Sequence, residues 1–422
     1  MATMKRFRAV TVVTAILSVA VAVPAFAVPL DPDATFGNDG KVRAVSYGST
    51  QELSVDGDTY YLGGLYYGAG SGEYTSWVRS IDATGESLAA GGFQAACFGW
   101  YPAIRDILVT TNGDILVVGY AYGGEIPGYG FILSFNPDLT VDESWGSDQL
   151  SCVGQKGMQL LDSYDLTDLS AAALDSQGRI LLAGRVFGDL AVMRLNPDGA
   201  IDQTFATDGV LRYRLPNTNE KVTDLVVDSQ DRAVIAGQST GAYSSSRAFV
   251  ARITEGGALD ADWGESGIRY LSTGTSDVRS VHVLTDDRVV VGLTDGWSDV
   301  AVVRLLTDGT NDVSFAGTGR VHLECRAPRR ESPLSAVTIN PRSQGGNRVT
   351  AYLVCREDRK TRYLAAAWLD DGSPAPSFGA DNRVEMPWPS PVLLAEGLST
   401  GQTMAVMYGP LYRAQVLVRL GR

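Results

Sequence analysis

Three arginine and aspartate pairs recur at one spacing: Arg194 with Asp202, Arg252 with Asp260, and Arg304 with Asp312, each eight residues apart. A guanidinium and a carboxylate held at a fixed interval suit an ion pair that braces a turn. Where the next related segment has Ala367 in the arginine place, it has Ala375 in the aspartate place. Arg419 has no downstream partner, yet Asp33 occupies the matching position near the other end of the chain. An earlier segment departs from the rule, with Ser134 against Asp142.

Other chemistry-bearing residues are sparse. The two histidines, His282 and His322, have no motif around them, and a structural role is the first reading of each. No nucleophile elbow, HExxH, Walker loop or EF-hand spacing occurs, so no catalytic residue, metal or cofactor is assigned. One carboxylate per repeated turn is a thin ligand set for calcium. Cys97, Cys152, Cys325 and Cys355 are even in number, and pairing by neighbouring segments favours Cys97 with Cys152 and Cys325 with Cys355. Without CxxC, disulfides are preferred to zinc.

The elements that carry these residues form a repeat. GDLAVMRLNPDGAIDQTFATDGV, from Asp189, returns in altered form around Trp145, Trp263, Phe315 and Phe378; these aromatics and Phe205 are separated by 60, 58, 52 and 63 positions. Each unit is an apolar run, a turn, a spacer, one aromatic before a small residue, and a second turn. Four runs per unit read as strands. In the third unit they are Leu169 to Leu174, Arg179 to Ala183, Leu190 to Leu195 and Val210 to Leu215, punctuated by Gly-containing turns. Continuously apolar runs such as ILLAG place both sheet faces in the core. Sheets of four antiparallel strands buried on both faces and repeated at this length predict an all-β seven-bladed β-propeller. Its inner strands fall near Gln51, Ala103, Leu169, Val222, Val278, Leu334 and Pro391. The seventh unit stops after three strands, and LDPDATFGNDGKV, from Leu30 to Val42, supplies the missing half, so the N-terminal segment is expected to close the ring.

The frame NPDGAIDQTFATDGV, with SQGRILLAG before it, resembles the delta-60 repeat family of bacterial exported proteins. That resemblance implies a propeller fold and an exported address, and it transfers no catalytic residue. The address has its own signal: MATMKRFR, an uncharged run from Ala9 to Val23, and a small-x-small site at Ala25 to Ala27 read as a signal peptide cleaved after Ala27. Removing 27 residues from 422 leaves 395 in a single domain, 28–422, and losing Lys5, Arg6 and Arg8 moves the formal charge from −13 to −16. A secreted or periplasmic, acidic protein without a membrane span is expected, with no nucleic-acid partner and as a monomer.

In a four-stranded blade, the loops joining second to third strands share a face with the crossovers between blades. Here that face carries loops of varied length, rich in aromatics and glycine, and is the expected functional face. Tyr66, Tyr67, Tyr120, Tyr122 and Tyr129 cluster there as candidates for contact with a glycan or protein, ordinary loop packing being the alternative. The arginines between Arg326 and Arg362, with Lys360, make the sixth blade basic, suiting an anionic partner or a solvated run. A binding or scaffold module is the leading expectation. The alternative is an enzyme of hydrolase, lyase or quinone-dependent dehydrogenase type acting at the central channel, where His282 is placed by its inner strand.

Overall fold

The computed structural model describes residues 32–420 apart from 39–40, 46–48, 68–73, 95–100, 124–125, 148–155, 162–165, 167, 216–217, 242–245, 272–275, 297–298, 326–332, 343–344, 358–359, 379–381, 387–389 and 409–414. Its described strands form seven four-stranded antiparallel sheets, each a blade. The inner strands, in blade order, are Ser49–Asp56, Tyr101–Val109, Ala171–Leu174, Thr218–Val227, Ser276–Val283, Leu334–Pro341 and Val392–Gly397. Among the described residues the only helical element is the single turn Pro376–Phe378, and no helix is long and apolar enough to cross a membrane.

Burial explains the strand composition. In Ile180–Val186 every residue except Arg185 is buried, because each blade packs its two faces against two neighbours. Core clusters therefore straddle blade boundaries: Phe205 and Leu190 of the third blade pack with Ile235 and Phe249 of the fourth. A sheet buried on both faces has no place for alternating polarity.

The ring closes as the complementary ends of the chain require. The seventh sheet has the order Lys41–Val45, Gln415–Leu420, Thr403–Tyr408, Val392–Gly397, so the N-terminal segment is its outer strand. Asp33 forms an ion pair with Arg419, Oδ2 to Nε at 3.1 Å, and its backbone N–H donates to the Arg419 carbonyl at 2.7 Å. Phe36 is fully buried in the cluster joining the seventh blade to the first.

All four expected ion pairs form, at 2.7 Å for Arg194 and Asp202, 2.8 Å for Arg252 and Asp260, 2.7 Å for Arg304 and Asp312, and 3.1 Å at the closure. Each is part of a larger latch. The arginine lies 4.8, 5.5, 4.7 and 5.2 Å from the ring centroids of Phe205, Trp263, Phe315 and Phe36 respectively. In three of the four an Nη1–H also donates into the next blade, Arg194 to the Glu255 carbonyl, Arg252 to Thr307 at 2.6 Å and Arg419 to Ala83 at 2.8 Å, while Arg304 Nη1 lies 3.5 Å from Asp370 there. The small residue after the aromatic adds a backbone bond, as Ala206 to Gly256 at 2.9 Å and Gly264 to Asp308 at 2.8 Å. That residue takes a positive φ, 52° at Ala206 and 58° at Gly264, and a Cβ at Gly264 would lie 2.7 Å from the Ile268 carbonyl oxygen. The repeat's aromatic-small signature is thus an interblade contact, which favours residues with little or no side chain.

The two departures from the rule are compensated differently. In the second blade the Trp145 indole N–H donates to the Pro197 carbonyl at 2.7 Å and spans the same junction. In the sixth, where Ala367 and Ala375 are both buried, Arg348 enters from the adjacent strand, sits 5.8 Å from the Phe378 ring and donates to the Gly401 carbonyl at 2.9 Å. A disulfide between Cys325 and Cys355 also staples the fifth blade to the sixth, as the neighbour pairing predicts. Cys97 and Cys152 lie outside the described residues. With its ends 30 positions apart in the chain, the staple is expected to contribute about 3–4 kcal/mol. Replacing both cysteines by Ala should lower the urea midpoint accordingly; an unchanged midpoint would remove the staple from the account.

Candidate functional site

Six of the seven inner strands carry a register shift at one level: Thr50/Glu52, Ile104/Asp106, Val222/Asp224, Val278/Ser280, Leu334/Ala336 and Val392/Leu394. In the third blade the strand begins just beyond this level, at Ala171. A bulge sets two residues against one on the partner strand and re-aims the side chains that follow it. The residue after the shift is Glu52, Asp106 or Asp224 in the first, second and fourth blades. Two positions further along stand His282 in the fifth blade and Glu396 in the seventh.

These side chains line one axial cavity of about 440 Å³. Inner strands run from the crossover face inward, so the order along the axis follows from topology. Arg105 and Arg279, both exposed, stand at the bulge level, the three carboxyls follow, and His282 and Glu396 lie deeper. Arg279 is paired with Asp277 at 2.7 Å.

Two of the carboxyls are braces. Asp106 accepts from Ile107 N–H in its own strand and from Ala172 N–H in the next blade, both at 2.9 Å. Asp224 repeats this with Leu225 and Val281, both at 2.8 Å. Glu52 accepts one N–H, from Leu53 at 3.1 Å, and the interblade bond there comes from Gln51, whose Oε1 accepts from Ile104 N–H at 2.9 Å. Glu396 has neither a hydrogen bond nor an ion pair among the described residues.

Burial raises all four carboxyl pKa values, and repulsion from neighbouring carboxylates adds to it at Glu52, Asp106 and Glu396. Asp106 is pushed up to about 7 and Glu396 to about 8; Glu52 moves well above the usual carboxylate range and Asp224 rises too. Burial lowers His282 against the pull of Asp224, keeping the imidazole neutral. Its Nε2 lies 2.9 Å from the Val337 carbonyl oxygen, which requires the proton on Nε2 and leaves the Nδ1 lone pair available. Among the described residues no group of three or more His, Cys, Asp or Glu side chains is placed to hold a metal ion.

The sequence reading placed His282 on an inner strand but passed over the carboxyls. A usable signal was present: QEL, RDI and TDL each set an acid before a branched residue within an apolar inner run. His322 lies on the exposed outer strand Arg320–Glu324, its Nε2 2.8 Å from Arg320 Nε.

On the crossover face, Tyr66 is 41% exposed at the end of Thr59–Tyr67. Tyr120 is half-buried and packs on the core between the second and third blades, so loop packing accounts for its ring. The side chains of Tyr67, Tyr122 and Tyr129 lie outside the described residues, as do Arg326, Arg329, Arg330 and Arg359 of the basic sixth blade. Phe187, which sequence reasoning missed, is 72% exposed at the tip of the hairpin between Ile180–Val186 and Asp189–Leu195, with φ of 51°. An exposed aromatic held in a left-handed turn is unusual and marks this hairpin.

Residues 176–205 match a family described as a β-propeller domain of unknown function, DUF5122. That segment holds the Arg194, Asp202 and Phe205 latch. No protein of curated function matches. Among solved structures, a polysaccharide lyase of family PL25, an ulvan lyase, is 11% identical with a TM-score of 0.51, covering 90% of this chain and 96% of its own. The virginiamycin B lyase of Staphylococcus aureus is 10% identical (TM-score 0.49; 90% and 98% covered). Semaphorin 1a of Drosophila, domains 1–2, is 9% identical (TM-score 0.49; 90% and 88%). At these identities the likeness is one of fold alone.

Proposed function

We propose that this protein is an exported delta-60-type propeller that acts as a binding or scaffold module, engaging a protein or glycan through its crossover face. The observation that carries the reading is the division of labour between the two faces. The turns after the third strands are spent on interblade latches, whereas the crossover face presents Phe187, Tyr66, Arg105 and Arg279 to solvent on hairpins and bulges of differing shape. Export is supported by the N-terminal signal and by the Cys325–Cys355 disulfide, which persists in an oxidising compartment.

A second reading rests on a specific observation in the channel: a neutral imidazole with a free Nδ1 shares one cavity with Glu396, a carboxyl held neutral by burial. Such a pair suits proton transfer to and from a bound substrate.

One experiment separates the two. Residues 28–422 are immobilised and exposed to native envelope and culture-medium extracts, beside a face variant (Tyr66 and Phe187 to Ala) and a channel variant (His282→Gln with Glu396→Gln). Retention by the parent and the channel variant, lost in a folded face variant, supports the module. Retention of a small molecule that only the channel variant loses supports the second reading.

A further inference from the structure

The four channel carboxyls differ in how many N–H groups they accept: two each for Asp106 and Asp224, one for Glu52, none for Glu396. N–H donors stabilise the charged form of a carboxyl, and burial without them disfavours it. All four share one cavity, and none forms an ion pair among the described residues. The titratable and charged groups facing that cavity are Glu52 from the first blade, Arg105 and Asp106 from the second, Asp224 from the fourth, Arg279 and His282 from the fifth, and Glu396 from the seventh. The third and sixth blades offer only uncharged groups such as Ser170 and Ser335. His282 is committed to the Val337 carbonyl and Arg279 to Asp277.

We propose that the axial channel is a proton-linked lock. With Glu52 and Glu396 neutral, the inner strands close around the Asp106 and Asp224 braces; losing those protons forces further negative charge into the same cavity and loosens the inner strands. Glu396 is the principal proton holder, because no protein donor stabilises its charged form.

The direction follows from linkage. These groups carry folded-state pKa values above their ordinary ones, Glu396 about 8 against 4.5. The folded protein therefore retains protons that the opened chain releases, and tightness falls as pH rises from about 4 to about 8. An ordinary surface carboxylate pairing with arginine has the opposite dependence.

The test is amide exchange on folded 28–422 between about pH 5.5 and 8.5, corrected for the intrinsic pH dependence of exchange. The informative amides are Ala172 and Val281, whose acceptors are the two braces. Protection in the parent is expected to fall by about tenfold per pH unit for each proton retained. Glu52→Gln with Glu396→Gln should lose much less protection at the alkaline end than the parent, Asp106 and Asp224 alone still retaining protons, and Glu396→Gln alone should show a dependence between the two. Circular dichroism checks that each variant is folded, and the single variant serves if the double one is not. Parent protection that is flat or rises with pH, or an identical slope in the Glu396→Gln variant, overturns the proposal.

Discussion

Asp312→Ala is expected to destabilise the protein by about 3–5 kcal/mol, the range for removing one partner of a buried ion pair. Arg304 and Asp312 are 1% and 2% exposed. Asp312 also accepts from Arg288 Nη1 at 3.0 Å, so its removal leaves Arg304 with only the longer 3.5 Å contact to Asp370 and Arg288 with Asp286 alone. Burial opposes ionisation of Asp312, but the Ser314 hydroxyl, Arg288 and Arg304 together carry its pKa down to about 2. A carboxyl depressed in the folded state stabilises above its ordinary pKa, and that stabilisation is lost as pH falls from about 4 through about 2. The pair should be coupled. Adding Arg304→Ala to Asp312→Ala should cost less than the two separate losses combined, by about 2 kcal/mol. Alanines already stand at both places in the sixth blade, at Ala367 and Ala375. Urea midpoints of the four proteins in the cycle measure this, and additivity within about 0.5 kcal/mol would reduce the latch to independent contacts.

Removing residues 28–45 is expected to have the larger effect. The cut deletes the outer strand Lys41–Val45, empties the site of the fully buried Phe36, strips Arg419 of Asp33 and exposes the edge of Gln415–Leu420. The loss of Phe36 alone is of the order of 3–5 kcal/mol. The ring as a whole should lose more than ~5 kcal/mol, a fall of roughly 6 °C or more in Tm, with aggregation through the bare edge. A peptide spanning 30–46, added in trans, should restore much of the loss. Equal melting of the cut and uncut chains would mean that the ring does not depend on this strand.

The parts legible in the sequence were those that the repeat itself copies. Blade number, the borrowed strand and the pairings of Arg194, Arg252, Arg304 and Arg419 could be read by comparing units, because each recurs in one local frame. Cys325 with Cys355 followed from adjacency. The channel was harder for the opposite reason. Glu52, Asp106 and Asp224 meet only after the ring closes, and the bulges that aim them depend on pairing with a second strand. Arg348 was missed because it does the latch's work from outside the repeated position, and Trp145, though in the aromatic place, bonds across the junction through an indole N–H that the phenylalanines lack. Tyr120 shows the limit of counting aromatics: it falls in a loop-like GYAYGG stretch, yet its strand continues to Gly123 and its ring packs on core.

The division between a latched face and a presenting face is tested most directly by an amide-exchange footprint of 28–422, taken with and without the fraction it retains from envelope extract. New protection is expected at the crossover-face hairpins, those ending at Tyr66, Gly123 and Phe187, with no change at the turns holding Asp202, Asp260 and Asp312. Protection centred on those latch turns, or on the channel strands around His282 and Glu396 with the hairpins unchanged, would contradict it.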